Sequence, residues 1–541
     1  MRSLLFLLFL QSIATAQDSL IKSDVRSASK LMDVQYTDKE IEMMMIDLRD
    51  NIIDYKKMHT LSLDNGVGMS IAQRLTPPNR KQERIVWHYD KKIQLPANRN
   101  ELAFYSILQL GSLLRNKSIS SVELTQFFLE RLKRFSDTLQ CTVSLTESTA
   151  LEQARKADDE LSRKIDRGPL HGIPYGLKDL FAVKGTKTTW GAQPYKDQVI
   201  DTDAFVYTQL SNAGAVLVAK FTLGALAMGD YWFGGRTKNP WNFNLGSSGS
   251  SAGSAAATAA GLIPFAIGTE THGSIVSPSH TCGATGLRPT FGRTSRYGAM
   301  TLSWSLDKVG PICRLAEDAA VVFHYLHGTD GRDASAVQTA FNYHPKSDGK
   351  NLRIAYAKNH FERLDSSSQE WGVIRALQAA GLTIEPMHLP DTEVYKFDMI
   401  GTILGGEAAA AFDAFTRLDV DEQMTRQTRF DWPNYFRVAR TIPAVEYVNA
   451  NRHRSILMEQ FSTATQPYDV IITPSFGNRQ LAITNLTGHP ALCLPIGLTK
   501  QNVPNSITFL ANPFMEEHVL TLGKLFQDMT PHENLHPSRF Q

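Results

Sequence analysis

Apolar and charged positions alternate at helical spacing near the start of the chain. Asp38-Lys39-Glu40 leads into Ile41, Met43, Met44, Met45 and Ile46, followed by Leu48, Ile52 and Ile53 with charges between them. The pattern predicts a helical preamble over 17–95, closed by Pro77 and Pro78 and without a clear period up to Pro96. From about residue 100 the texture changes. Ser120 and Glu123 have capping-box spacing and open a helix that carries Leu124, Phe127, Phe128, Leu132 and Phe135 on one side. Short apolar runs at 215–219, 352–356 and 469–473 read as strands, with helical segments such as 204–210 between them. Strands alternating with helices predict an α/β body, and the chain holds no internal repeat or long low-complexity linker.

Two features narrow the classes. The 56 Lys and Arg nearly balance the 54 Asp and Glu, which argues against a nucleic-acid partner held by bulk electrostatics. Four cysteines in 541 residues cannot be a cross-linking framework, and Cys141, Cys282, Cys313 and Cys493, in mostly apolar contexts, read as buried free thiols. The first sixteen residues have the layout of a secretory signal: Met1-Arg2, an apolar run from Leu4 to Leu10, then Ala14-Thr15-Ala16 before Gln17. The run is far short of a membrane span, so the expectation is a secreted or periplasmic chain starting at Gln17 with no stable membrane anchor after signal removal.

Most chemical motifs fail on context. His532-Glu533-Asn534-Leu535-His536 fits the zinc-protease pattern, but Pro531 and Pro537 bracket it near the end of the chain, so a frayed tail is expected there and no metal. Gly249-Ser250-Ser251-Ala252-Gly253 fits the nucleophile elbow, yet turn residues Asn239-Pro240-Trp241-Asn242 precede it where a strand is required. What survives is the Ser/Gly stretch of 246–279, GSSGSSAGSAAATAAGLIPFAIGTETHGSIVSPS. A flexible linker has such composition, but not helix-forming 255–260 and strand-like 263–267 embedded within it. Dense small residues permit the close backbone approach that an oxyanion-binding loop needs.

Residues 246–298 resemble the signature stretch of the amidase signature family, the Ser-Ser-Lys amide hydrolases. Further segments resemble the family in order: Gly172-Ile173-Pro174-Tyr175-Gly176-Leu177-Lys178-Asp179, Ala213 to Lys220, Ser305-Leu306-Asp307-Lys308-Val309-Gly310-Pro311, Tyr468 to Pro474 and Gly488-His489-Pro490-Ala491. The resemblance covers about 100–530. It implies a mixed β-sheet flanked by helices on both faces, a catalytic domain over 96–541 and no organic cofactor. It further implies Lys178 as base, Ser250 as bridging serine behind a cis Gly249–Ser250 bond, and Ser274 as nucleophile. Ser251 matches a position that supports the lysine, and Thr271, His272, Gly273 and Ser274 match the loop whose N–H groups form the oxyanion hole.

The chemistry is coherent on its own terms. A serine hydroxyl needs something to take its proton, and a lysine can do so only when neutral, hence desolvated. Taken alone, Lys178 would be a solvated charge and Ser250 a turn residue; the three side chains together carry the signal. The sequence departs from the family at Ala252, usually Gly; at His272, commonly Gly or Asp; and at Val276, where many members have Arg. The resemblance implies an amidase acting on a small-molecule or peptide amide, with an esterase preference and the oligomeric state left open. Two alternatives stand beside it: the glutamine-amidohydrolase subunit of a tRNA-dependent amidotransferase, and a non-catalytic binding protein on the same fold. Gly229 to Phe233 reads as core packing before it reads as a pocket wall. Asn116-Lys117-Ser118 and Asn485-Leu486-Thr487 match glycosylation sequons.

Overall fold

The computed structural model describes residues 20–32, 34–62 and 75–541, so the expected signal segment at 1–16 lies outside the described residues. Eleven strands among the described residues form one mixed sheet. Its order is Thr142–Leu145, Val216–Phe221, Pro174–Lys178, Phe265–Glu270, Lys308–Cys313, Thr285–Arg288, Ala491–Leu498, Pro504–Leu510, Val470–Pro474, Ile354–Ala357 and Ile384–Met387. Pro174–Lys178 runs parallel to both of its neighbours, while Phe265–Glu270 turns antiparallel to Lys308–Cys313.

Side-chain alternation sends successive residues to opposite faces, and both faces are dry. Tyr175, Leu177, Leu217, Phe265 and Ile267 enter one apolar cluster. Val216, Val218 and Ala266 enter another, with the helix Ala252–Ala259 against them. The same alternation turns Lys178 away from Leu177, toward the side where that small-residue helix begins. Gly176, its neighbour in the strand, faces the Phe221 ring so closely that an added Cβ would stand 2.0 Å from Cε2.

Helices cover the sheet on both sides, as expected, and the capping box at Ser120 and Glu123 opens the helix Ser121–Leu139. The strands lie one to two residues further along than the runs that predicted them. The preamble holds two helices, Lys22–Leu31 and Asp38–His59. From 75 to 98 the chain is extended and irregular, with Arg80 bonded to the Glu517 carboxylate and the Phe514 carbonyl. Arg437, almost fully buried, forms ion pairs with Glu40 and with Asp421 at 2.7 Å each, fastening the second preamble helix to the body. Among the described residues no helix is long and apolar enough to cross a membrane.

Two expectations are corrected. The C-terminal tail does not fray: Phe540 is buried against the rings of Phe135 and Phe243, and its carbonyl accepts from Arg131. Residues Gly229 to Phe233 are not core. Tyr231 is exposed in a small hairpin with Arg236 and Arg426 against its ring, since flanking glycines and cations make an edge there rather than a packed layer.

Candidate functional site

Lys178 is the last residue of its strand and is fully buried. Its Nζ meets hydroxyls rather than a carboxylate: Ser250 Oγ at 2.8 Å, Ser251 Oγ at 3.1 Å and Thr269 Oγ1 at 2.8 Å. The Thr269 carbonyl lies at 3.4 Å. Burial pulls the amine from the ordinary lysine range down to about 7, with the more distant Asp307 and Glu270 carboxylates pulling the other way. A large share of the molecules therefore hold Lys178 uncharged near neutral pH.

The two serines are held by the turn that precedes the helix Ala252–Ala259. The Gly249–Ser250 peptide is cis. Gly249 has no room for a side chain, because an added Cβ would stand 1.8 Å from the Gly229 carbonyl oxygen. Ser251 Oγ donates to the Thr269 carbonyl at 3.1 Å and accepts the Thr269 N–H at 3.2 Å, so the turn is pinned to the neighbouring strand. Ala252 begins the helix with helical backbone, which accommodates a methyl where the family has glycine.

Thr271, His272, Gly273 and Ser274 form the loop between the strand Phe265–Glu270 and the helix Val276–Cys282. Gly273 has φ +96°, a region that favours glycine. Ser274 is half-buried, and its carbonyl accepts the Ser251 N–H at 3.1 Å. That bond brings the loop against the Lys178–Ser250 pair, although the Ser274 and Ser250 hydroxyls are not hydrogen-bonded to each other. Catalytic hydrogen bonds often close only around substrate. His272 is exposed on one side. Protein packed around it lowers the imidazole below its ordinary value, against the pull of Asp398 and Glu270.

Sequence reasoning missed the supports of this loop. Thr271 Oγ1 donates to Asp307 Oδ1 at 2.6 Å, while Asp307 Oδ2 accepts the N–H groups of Leu302 and Ser303. Glu270 accepts from Ile275, Val276, Arg288 and Asn485. Asn485 is thereby fully buried, so its sequon is closed off in the folded chain, whereas Asn116 is exposed. A signal for Glu270 existed: it is an acidic residue closing a mostly apolar strand. Thr269 carried none.

The H-E-x-x-H residues lie in a short turn, His532–Asn534, and His536 stacks on Phe104 with ring centroids 3.8 Å apart. Among the described residues no group of His, Cys, Asp and Glu is arranged to hold a metal ion.

Residues 123–484 match the Amidase family. The chain belongs to that family. As an amidase it is a hydrolase acting on amides, and its relatives fit the architecture above. It is 33% identical over 472 residues to a glutamyl-tRNA(Gln) amidotransferase subunit of Coxiella burnetii, a match that covers 79% of this chain and 97% of that protein. The corresponding amidotransferase subunit of Marinomonas sp. is 32% identical over the same share of this amidase and 96% of its own length. Among solved structures, native peptide amidase from Stenotrophomonas maltophilia superposes with a TM-score of 0.70 at 25% identity, over 79% of this chain and 97% of its own. A 6-aminohexanoate cyclic dimer hydrolase shares the fold, with a TM-score of 0.69 at 22% identity over 81% of this chain and 100% of its own.

Proposed function

We propose that this amidase hydrolyses carboxamide C–N bonds through an acyl-Ser274 intermediate, with Lys178 as base and Ser250 as the proton bridge. The observation that carries the reading is a fully buried lysine, with its amine near 7, that meets the Ser250 hydroxyl at 2.8 Å. Neutral Lys178 takes a proton from Ser250, and Ser250 takes one from Ser274 as its oxygen attacks the carbonyl. The tetrahedral oxyanion is received by N–H groups of Thr271 to Ser274, donors typically worth about 3–4 kcal/mol each. Glu270 occupies the N–H groups of Ile275 and Val276 and leaves those of the preceding four residues to this task. Ser250 then returns the proton to the departing nitrogen, the C–N bond breaks, and water attacks the acyl-enzyme to free the carboxylate and Ser274.

The substrate's acyl portion is assigned to a mainly apolar groove of about 570 Å³ lined by Trp304, Ala409, Ala410, Ile442 and Tyr447. The loop carrying Trp304 also reaches Thr271 through Asp307. Aryl or long-chain primary amides are therefore expected to be turned over in preference to acetamide, and Trp304→Ala is expected to raise KM for them more than it lowers kcat. The amino-terminal residues Met1 to Ala16 support export to a secreted or periplasmic location.

The alternative of a tRNA-dependent amidotransferase component draws on the names of the relatives. Val276, where many family members carry Arg, and the secretory-type start weigh against it. The deciding experiment is intact-mass spectrometry after exposure to a fluorophosphonate probe. One adduct per chain, lost in Ser274→Ala and strongly slowed in Lys178→Ala, supports the relay; a folded wild type that neither labels nor turns over any primary amide rejects it.

A further inference from the structure

Glu270 ends its strand and is the residue from which the Thr271–Ser274 loop departs. Its Oε2 accepts the N–H groups of Ile275 at 2.8 Å and Val276 at 2.9 Å, the two residues that follow Ser274. Its Oε1 accepts from Arg288 Nη1 at 2.9 Å and Asn485 Nδ2 at 2.8 Å. Glu270, Arg288 and Asn485 are all fully buried. One carboxylate thus closes the stem of the loop and ties it to a second strand and to the helix Gln480–Thr487. Arg288 is itself oriented by donating Nη2 to the His489 carbonyl at 2.8 Å. Val276 is buried, and the guanidinium beside the loop comes from the strand Thr285–Arg288.

We infer that Glu270 and Arg288 are positioning residues for Ser274, the carboxylate setting the loop and the guanidinium keeping that carboxylate ionised and in place. The inference rests on Ser274 being the nucleophile. The physical reason is the cost of an unpaired buried charge. Burial pushes the Glu270 carboxyl up, and Arg288, the two N–H groups and Asn485 hold it at about 2. Without Arg288, burial favours the protonated carboxyl. One of its oxygens then carries a hydrogen and accepts less well, so the three remaining bonds are weakened. The loop relaxes, and a displacement of about 1 Å at a reacting centre can slow chemistry about 10²-fold. The other charged or titratable groups that face Glu270 are Lys308, its partner in the strand ladder, together with Lys178, His272 and the Cys493 thiol.

The test measures two quantities in wild type, Arg288→Met, Arg288→Lys and Glu270→Gln: the second-order rate of fluorophosphonate labelling, and deuterium uptake at the amides of Ile275 and Val276. Arg288→Met is expected to label about 10²-fold more slowly. Its two amides should exchange at least about tenfold faster, because their Glu270 acceptor is weakened and less well held. Arg288→Lys should recover much of both. Glu270→Gln should shift the acid limb of the labelling rate to lower pH, because Lys178 loses a neighbouring anion that raises its pKa. A role confined to stability would lower the melting temperature and leave the labelling rate of the folded variants at its wild-type plateau. Wild-type labelling with unchanged exchange at 275 and 276 in folded Arg288→Met overturns the inference; if that variant does not fold, the same two results in Glu270→Gln decide. Absence of labelling in wild type, with exchange at 275 and 276 still accelerated in the variants, overturns the role of Ser274 and upholds the clip.

Discussion

Two lysines lie on adjacent parallel strands, Lys178 and Lys220, and both are fully buried. Lys220 ends 2.8 Å from Asp179 Oδ1 and donates to the Lys187 carbonyl and the Thr188 hydroxyl. Asp179 is in turn held by the N–H and hydroxyl of Thr189. Lys178, one residue before Asp179, meets three hydroxyls and a carbonyl. Burial is common to both, so burial alone does not distinguish a base from a buttress. What distinguishes them is whether a carboxylate stands within ion-pair distance. The strand register gives Lys220 that partner and withholds one from Lys178.

The largest expected effect separates the pair by function. Lys178→Ala should lower kcat/KM by about 10³-fold or more, the range for losing a general base, with no loss of melting temperature. In wild type, kcat/KM should climb with pH and level off above about 7, as Lys178 gives up its proton. A flat profile between about pH 5 and 9 would break the comparison at its centre.

Stability should respond to Lys178 over a higher range of pH. Its amine titrates near 7 when folded and in the ordinary lysine range when unfolded, so between those values the unfolded chain holds the extra proton. Stability from this group therefore rises as pH increases from about 7 to about 10. The gain is on the order of 5 kcal/mol, and it is absent in Lys178→Met. Urea unfolding of both proteins at several pH values measures the difference.

Lys220→Ala leaves Asp179 buried and unpaired, and should cost about 3–5 kcal/mol of stability while folded molecules keep much of their turnover. Active-site titration alongside a denaturation curve checks that split; equal turnover loss in the two alanine variants at unchanged stability would show that the strands do not divide the work. Smaller again are the hydroxyl partners. Ser251→Ala should slow turnover roughly tenfold, and Thr269→Val by less, in proportion to a single hydrogen bond of about 1 kcal/mol. Retention of the pH limb near 7 in Thr269→Val would sharpen the case that desolvation, not this hydroxyl, sets the amine.

Much of this contrast could be read from the chain before folding, and part could not. Lys178, Ser250 and Ser274 were legible because glycines and small residues surround them in an order that few other sequences share. The α/β body was legible from short apolar runs alternating with amphipathic ones. Lys220 was legible as an oddity, a cation in the apolar run that becomes Val216–Phe221, but its partner was not. Pairing of Lys220 with Asp179, of Glu270 with Arg288 and Asn485, and of Thr271 with Asp307 depends on sheet order and register, which local periodicity does not encode. The C-terminal tail misled for a related reason. Prolines and polar residues suggest fraying, yet Phe540 finds a long-range slot beside Phe135 and Phe243.

The four cysteines are all unpaired and buried, and they are spread over separate parts of the interior. Cys141 and Cys282 lie in the layer beneath the helix Ala252–Ala259, Cys313 in the large cluster on the other face, and Cys493, on the strand Ala491–Leu498, in a third cluster. Each thiol is silent toward an aqueous disulfide reagent until its own layer opens. The chain therefore carries an intrinsic set of clocks: the order in which four sulfurs become reactive in mild denaturant records the order in which the interior comes apart, without any label being introduced.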